Sequence, residues 1–362
     1  MSIPGPDGPR AIFRAPMPFA ELIAQDRALG SLRAALRRGA LHHAYLFGGP
    51  AGVGKGTAAR LLAQAANCEA PGEGGALRDD PCGACAACRK IARDAHPDVR
   101  VLAEEREMAR AGRWEPRGGR APSREIVVDQ IRDLVDRRLS LRRFEGRRRV
   151  VVIDPADAMN APAQNALLKT LEEPPDDTTL VLVSSSPDSL LPTIRSRCLR
   201  LAFGPVPEAA VAARLVSAGR PPERAALAAA LSGGSIGRAL AMDDEALVAR
   251  RDAVARLAGI DGDRTLDWLA FAREQGEDRE EAEAIGELLL VFWRDVLALQ
   301  AGGAALALAG LSDAARRAAS GLAPLEVLRR RALTAGMLAA LRRNGAATLA
   351  LERMLVGWFH GR

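Results

Sequence analysis

Apolar residues along this chain fall into two patterns, and the change between them lies near residue 203. Before it, short unbroken apolar runs alternate with stretches of helical period. Ala44–Phe47, Val99–Leu102, Arg149–Ile153 (RVVVI) and Leu180–Val183 (LVLV) are too short for helices. Consecutive apolar or β-branched residues of that length predict strands buried on both faces of a parallel sheet. Ser31–Arg38 predicts a short amphipathic helix, and Thr57–Ala66 carries helix-favouring residues after the first run. Ala163, Leu167 and Leu171 share one face of a helix that opens near Pro162 and stops before Pro174–Pro175. Strands alternating with helices predict an α/β domain. The charged, Gly- and Pro-containing stretch Ala103–Arg124 predicts an exposed insertion, and the Pro- and Gly-rich residues 1–18 a loose lead-in.

After Phe203-Gly-Pro-Val-Pro the composition shifts to Ala, Leu and Arg, and no strand pattern follows. Ile285, Leu288, Leu289, Phe292, Val296 and Leu299 fall at helical spacing, as do Leu351, Met354, Leu355 and Trp358. The second half is therefore expected to be all-helical, with these stripes as ordinary core. No internal repeat is visible.

Length and charge narrow the class. A chain of 362 residues predicts two or three domains. A hydrophobic share of 48% with 27% charged residues describes a folded, water-facing protein. The strongest apolar stretch, Leu288–Leu299, is cut by Arg294–Asp295, and the first residues lack an apolar signal core. The expectation is a cytoplasmic protein with no membrane partner. A net charge of +6 permits an acidic partner without demanding one. The basic clusters Arg142–Arg143, Arg147–Arg149, Arg329–Arg331 and Arg342–Arg343 lack interleaved aromatics, so they read as solvated faces or subunit contacts rather than a nucleic-acid surface.

Candidate chemistry starts at GGPAGVGKGT, residues 48–57. Backbone N–H groups of a Gly-rich turn opening a helix point at phosphate oxygens, and the helix dipole favours the negative charge. Gly49, Gly52, Gly54 and Gly56 let the backbone approach closely, and Lys55 is one of only three lysines in an arginine-rich chain. The strand before and the helix after supply the context of a nucleotide-binding P-loop. Yet the residue after Lys55, where a Ser or Thr would hold Mg²⁺, is Gly56, and Thr57 comes one position late. Asp154 closes the run Val150–Ile153 as a second acidic site, but the residue after it is Pro155 instead of a water-orienting Glu. Two parts of an in-line hydrolysis site are thus missing. The pattern predicts little or no turnover and leaves ATP binding open.

The cysteines carry a separate signal. Cys68, Cys82, Cys85 and Cys88 form C-x13-C-x2-C-x2-C, with Cys198 far away. Four soft ligands at this spacing suit a structural Zn²⁺ with no open coordination position. Disulfides are the rival reading, disfavoured in a reducing compartment. A zinc-organised loop would contribute on the order of 10 kcal/mol if it is unfolded without metal.

NALLKTLEEPP (165–175) and Ile194-Arg-Ser-Arg-Cys198 carry a family resemblance, together with HHAYLFGGPAGVGK, the four-cysteine insertion, HPDV (96–99) and IVVDQIR (126–132). The chain resembles the delta prime subunits of the bacterial DNA polymerase III clamp loader, densely from about Phe19 to Phe203 and through GGSIGRAL (233–240). The ATP-hydrolysing tau/gamma subunits share the cysteine module and these signatures. The resemblance implies an AAA+ P-loop domain over 19–203 with its zinc module at 68–88. A small helical lid at 204–245 and a helical collar at 246–362 would follow. It implies partners in a five-subunit ring, tau/gamma and delta, with the sliding clamp and primer-template DNA met through the complex. On that basis Gly49, Gly52, Gly54, Lys55, Gly56, Thr57 and Asp154 form the nucleotide site. Arg197, by itself a surface or sheet-edge arginine, becomes a finger acting in trans on a neighbour's ATP. Ser184–Ser186 take a polar sensor position. Arg238 lies near the lid arginine of the hydrolysing subunits, one place late. Gly56 and Pro155 favour a non-hydrolysing subunit over a tau/gamma-type motor or a free-standing AAA+ ATPase. A zinc-stapled nucleic-acid binder lacks a base-reading element.

Overall fold

The computed structural model describes residues 19, 22–70, 72, 78–139, 142–260, 262–304 and 306–360. The expected lead-in at 1–18 lies outside them. The chain divides into two compact units, the first ending at Val206 and the second starting at Pro207.

The first unit is built on five parallel strands: β1 (Ala44–Gly48), β2 (Val99–Leu102), β3 (Arg149–Ile153), β4 (Thr178–Ser184) and β5 (Leu199–Ala202). Their order across the sheet is β2-β3-β4-β1-β5. The register pairs Ala44 with Leu180, Tyr45 with Leu199, Arg149 with Thr178 and Val99 with Val150. Side chains alternate across a strand, and here both faces are covered. Tyr45, Phe47, Val150, Val152, Val181 and Val183 enter one core with the helices α1 (Asp26–Arg37), α2 (Lys55–Asn67) and α3 (Ala86–Ala92). Ala44, Leu46, Val151, Ile153, Leu180 and Leu182 enter the other. That second core includes residues of α4 (Glu105–Arg110), α5 (Val128–Asp133), α6 (Ala161–Glu172) and α7 (Pro192–Arg195). Burial on both sides is why these strands read as unbroken apolar runs.

Two expectations need correction. The first helix starts at Asp26 rather than Ser31, because Ala28 and Leu29 extend its buried face one turn earlier and Asp26 suits the positive end of the dipole. The stretch 103–124 is not simply exposed. Glu105 is fully buried, and its carboxylate accepts both Arg120 Nη groups at 2.6 and 2.7 Å, Trp114 Nε1 at 3.1 Å and Ser123 N–H at 2.8 Å. These contacts fold the insertion back onto α4. Strand β5 was not foreseen, since it buries only Leu201, with Leu199, Arg200 and Ala202 exposed.

From Pro207 onward the described residues form helices and turns, as the periodicity predicts. The expected helix over Asp278–Leu299 spans Arg279–Gln300, with the Asp278 side chain capping its first turn through Glu280 N–H at 2.8 Å. The last helix, Ala347–Phe359, buries Leu351, Met354, Leu355 and Trp358. Several of the clustered arginines serve the fold. Arg148 donates to Thr179 Oγ1 and Leu41 O, and Arg149 to Leu139 O. Arg329 and Arg330 pair with Glu326, and Arg330 lies over the rings of Trp293, Trp358 and Phe359. No helix among the described residues is long and apolar enough to cross a membrane.

Candidate functional site

The glycine loop leaves the carboxyl end of β1 and runs into α2, where open α/β sheets place their ligands. Gly49 sits at φ +149°, and a Cβ there would fall 2.0 Å from the Phe203 carbonyl oxygen, so only glycine fits. Gly54, at φ +100°, caps α2 in a left-handed conformation. Gly52 also has positive φ, and Thr57 lies half-buried in the first turn of α2. Lys55 is buried and folds back, its Nζ donating to Gly49 O at 2.6 Å and Pro50 O at 2.5 Å. Burial pulls its ammonium below the ordinary lysine value, against the opposing pull of Asp154 and Asp157.

Gly56 and Asp154 are brought together as expected, with a consequence that the spacing does not reveal. A Cβ on Gly56 would lie 2.4 Å from Asp154 Oδ2. The carboxylate fills the space that a serine or threonine side chain would need. The glycine turn could cradle a phosphate, but the hydroxyl that would help hold Mg²⁺ is absent at 56, and the acid that would orient water is absent at 155. Asp157 is committed elsewhere, accepting Ser185 N–H at 3.2 Å and Ser185 Oγ–H at 2.9 Å. Ser184 Oγ accepts Ser186 N–H, so the serines that end β4 form a local polar network.

The four cysteines converge. Their Sγ atoms lie within 4.8 Å of one another, and all are free thiols, so the disulfide reading falls away. Cys68 follows α2, and Cys85 caps α3, with its Sγ accepting Cys88 N–H at 3.4 Å while Cys82 Sγ accepts Cys85 N–H at 3.3 Å. These N–H···S contacts favour thiolates. Burial raises the Cys82 thiol, but N–H groups of Cys85 and Ala84 outweigh it and hold it at about 6. Burial pushes Cys68 and Cys88 upward. Four soft donors at one point could hold a tetrahedral metal ion. Gln64 Nε2 donates to Cys88 O, and Glu69 accepts Ala86 and Ala87 N–H, fixing the cluster against α2 and α3. Cys198 stands apart, buried, its thiol pushed up to about 12.

Arg197 lies at the other end of the sheet. It precedes β5, beside His42 and His43, which precede β1. The length of β1 therefore separates it from the glycine loop, five residues at about 3.3 Å each. Its guanidinium donates to Thr193 O at 2.9 Å and Glu172 Oε1 at 2.7 Å, on the wall of an open concavity of about 480 Å³. Leu171, Ser196, Leu199 and the two histidines complete that wall. Arg238, in the second unit, pairs with Glu287.

Sequence reasoning missed the anchors around HPDV. Buried Asp98 accepts the N–H groups of Phe144, Glu145 and Gly146, while buried Asn67 Oδ1 accepts Arg148 N–H. His96 Nδ1 accepts Asp98 N–H. Together they fix the turn that feeds β3 and so set where Asp154 arrives. The tetrapeptide itself was the available signal, but its partners lie almost 50 residues away.

The family model described as "DNA polymerase III, delta subunit" matches residues 24–207. The chain is 43% identical over 196 residues to the delta prime subunit of DNA polymerase III from Pseudomonas aeruginosa, covering 53% of each. It is 33% identical over 284 residues to that of Bacillus subtilis, covering 77% of this chain and 78% of the relative. It is 32% identical over 296 residues to the tau subunit of Escherichia coli, covering 76% of this chain and 42% of the relative. The chain thus spans about half the length of the Pseudomonas and Escherichia relatives.

Proposed function

The chain belongs to the DNA polymerase III delta prime family, and from that premise we propose that it is a non-hydrolysing subunit of a clamp loader. In this reading it joins tau/gamma and delta subunits in a five-membered ring that opens a sliding clamp and places it on primed DNA in the cytoplasm. Residues 19–203 act as the AAA+ domain, 204–245 as the lid and 246–362 as the collar. Cys68, Cys82, Cys85 and Cys88 hold a structural zinc that ties α2 to α3.

One observation carries the proposal: Arg197 and the glycine loop stand at opposite ends of one parallel sheet. A guanidinium so placed cannot serve its own chain's nucleotide. It can serve a nucleotide presented across a subunit boundary, where a planar, always charged group neutralises charge developing on a transferred phosphoryl. The filled space at Gly56 and the proline at 155 support the complementary half, a cradle that splits no bond of its own. Whether ATP or only phosphate rests there does not alter that division of labour.

The test is ATP turnover by the chain alone and by a reconstituted complex. Alone, the chain is expected to stay at background. In the complex, Arg197→Ala is expected to slow the site it faces by about 10³-fold or more while assembly persists. Brisk Mg²⁺-dependent hydrolysis by the isolated chain would favour the tau/gamma-type motor instead. Unchanged turnover with Arg197→Ala would remove the finger.

A further inference from the structure

Arg197 is not free in the isolated chain, and what holds it is informative. Glu172 is the last residue of α6, where a carboxylate faces the negative end of the helix dipole and is unfavourable on local grounds. Its position is accounted for by its partner. Glu172 Oε1 takes Arg197 Nη2 at 2.7 Å while Thr193 O takes Nη1 at 2.9 Å. The backbone beneath is fixed: Arg197 N–H donates to Ile194 O, and Cys198 is buried. Only the guanidinium has room to move, into the open concavity beside it.

We propose that Glu172 is a positioning residue, a latch that keeps the Arg197 guanidinium on its own chain until a neighbour's triphosphate draws it away. This inference rests on the trans role proposed for Arg197. The strength of the contact suits a latch. The two side chains are 35% and 51% exposed, and pairs of that kind bias an equilibrium by no more than about fivefold. A triphosphate offers several negative charges and bidentate oxygens against one carboxylate, so it wins the guanidinium. Once released, Glu172 is left as an unpaired anion beside the incoming phosphates and opposes them. The latch therefore costs apparent affinity for nucleotide and leaves the rate of the bound state untouched.

The experiment compares four full-length chains in the reconstituted complex: wild type, Glu172→Gln, Arg197→Ala and the double variant. Glu172→Gln is expected to lower the ATP concentration for half-maximal turnover by about three- to fivefold, with kcat within about twofold. The gain is expected to be smaller on the Arg197→Ala background, because only the repulsion remains to be relieved. In the free chain, ¹⁵N relaxation of Arg197 Nε is expected to report a restricted side chain that becomes mobile in Glu172→Gln, with the thermal midpoint unchanged. If Arg197→Ala slows turnover but Glu172→Gln moves neither half-saturation nor Nε mobility, the latch is refuted and the finger stands. A fall in kcat with Glu172→Gln would show that the carboxylate aims the finger instead of retaining it, which also refutes the latch. Turnover indifferent to Arg197→Ala would sink the trans role, and release to a neighbour's nucleotide with it.

Discussion

Replacing Asp98 by Asn removes one charge and one acceptor from a buried site, and the consequences can be worked through bond by bond. Asp98 is 5% exposed. Its Oδ1 accepts Phe144 N–H at 2.9 Å, and its Oδ2 accepts Glu145 and Gly146 N–H at 2.8 and 2.7 Å. An asparagine has one acceptor oxygen, so whichever way its amide turns, its NH₂ group faces at least one backbone donor. At least one bond is lost, and those that survive lose their charge assistance. With charged hydrogen bonds contributing about 1.5–3 kcal/mol each, the expected loss is about 2–4 kcal/mol. For a unit of this size that corresponds to a fall in thermal midpoint of about 4–16 °C. Unfolding of the full-length chain by heat and urea measures it, and hydrogen exchange should show the amides of 144–146 losing protection. The acid limb gives a second readout. Burial works to raise the Asp98 carboxyl, but the three N–H groups and His96 outweigh it and hold it below its ordinary value. Its contribution is thus present above about pH 4 and lost as pH falls through the folded value. His96 acts at higher pH: burial depresses its imidazole below 6.5 despite Glu145 and Asp98, so the unfolded chain binds the proton first and stability falls as pH drops through about 6.5. Wild type should show both losses, and in Asp98→Asn the lower one should shrink but persist, because Glu105 and Glu326 are also held below the ordinary carboxyl value. A loss under about 1 kcal/mol with unchanged amide protection would refute the anchoring argument.

Gly49→Ala should be far more damaging than an ordinary left-handed glycine replacement, because its Cβ would meet the Phe203 carbonyl at 2.0 Å. Gly39→Ala, at φ +63° with open space around it, is the control and should cost about 1–2 kcal/mol; equal effects of the two on the urea midpoint would contradict the steric reading. Metal analysis of chain purified without chelator should give about one zinc per chain, and stripping it should increase hydrogen exchange across 68–92. A metal-free chain with the same protection there would remove the structural zinc.

What the sequence made legible was local or repeated. β1, β3 and β4 could be read because burial on two faces writes itself into consecutive residues, and the cysteine cluster because Cys82, Cys85 and Cys88 are close in sequence. β5 hid because it buries only Leu201 and shows no run, whereas β2 at the opposite edge buries Val99, Val101 and Leu102. Glu105, Asp98 and Glu172 hid for another reason: each is a polar residue whose partner is 15 to 48 residues away, and no period links the two. The glycine loop stands between these cases. Its missing hydroxyl and the missing acid at 155 are plain in the sequence, yet they read there as two independent losses. In the fold the first is tied to the neighbouring acid, since Asp154 Oδ2 lies where the side chain at 56 would be. A serine restored at 56 would have to push that carboxylate aside, the end of a flexible side chain and so a tolerable move for folding. It would also disturb the acid whose charge opposes the depression of the Lys55 ammonium, and it would still find proline at 155. Reversion at either position alone is therefore expected to regain no hydrolysis, which ATP turnover by Gly56→Ser and by Pro155→Glu chains measures.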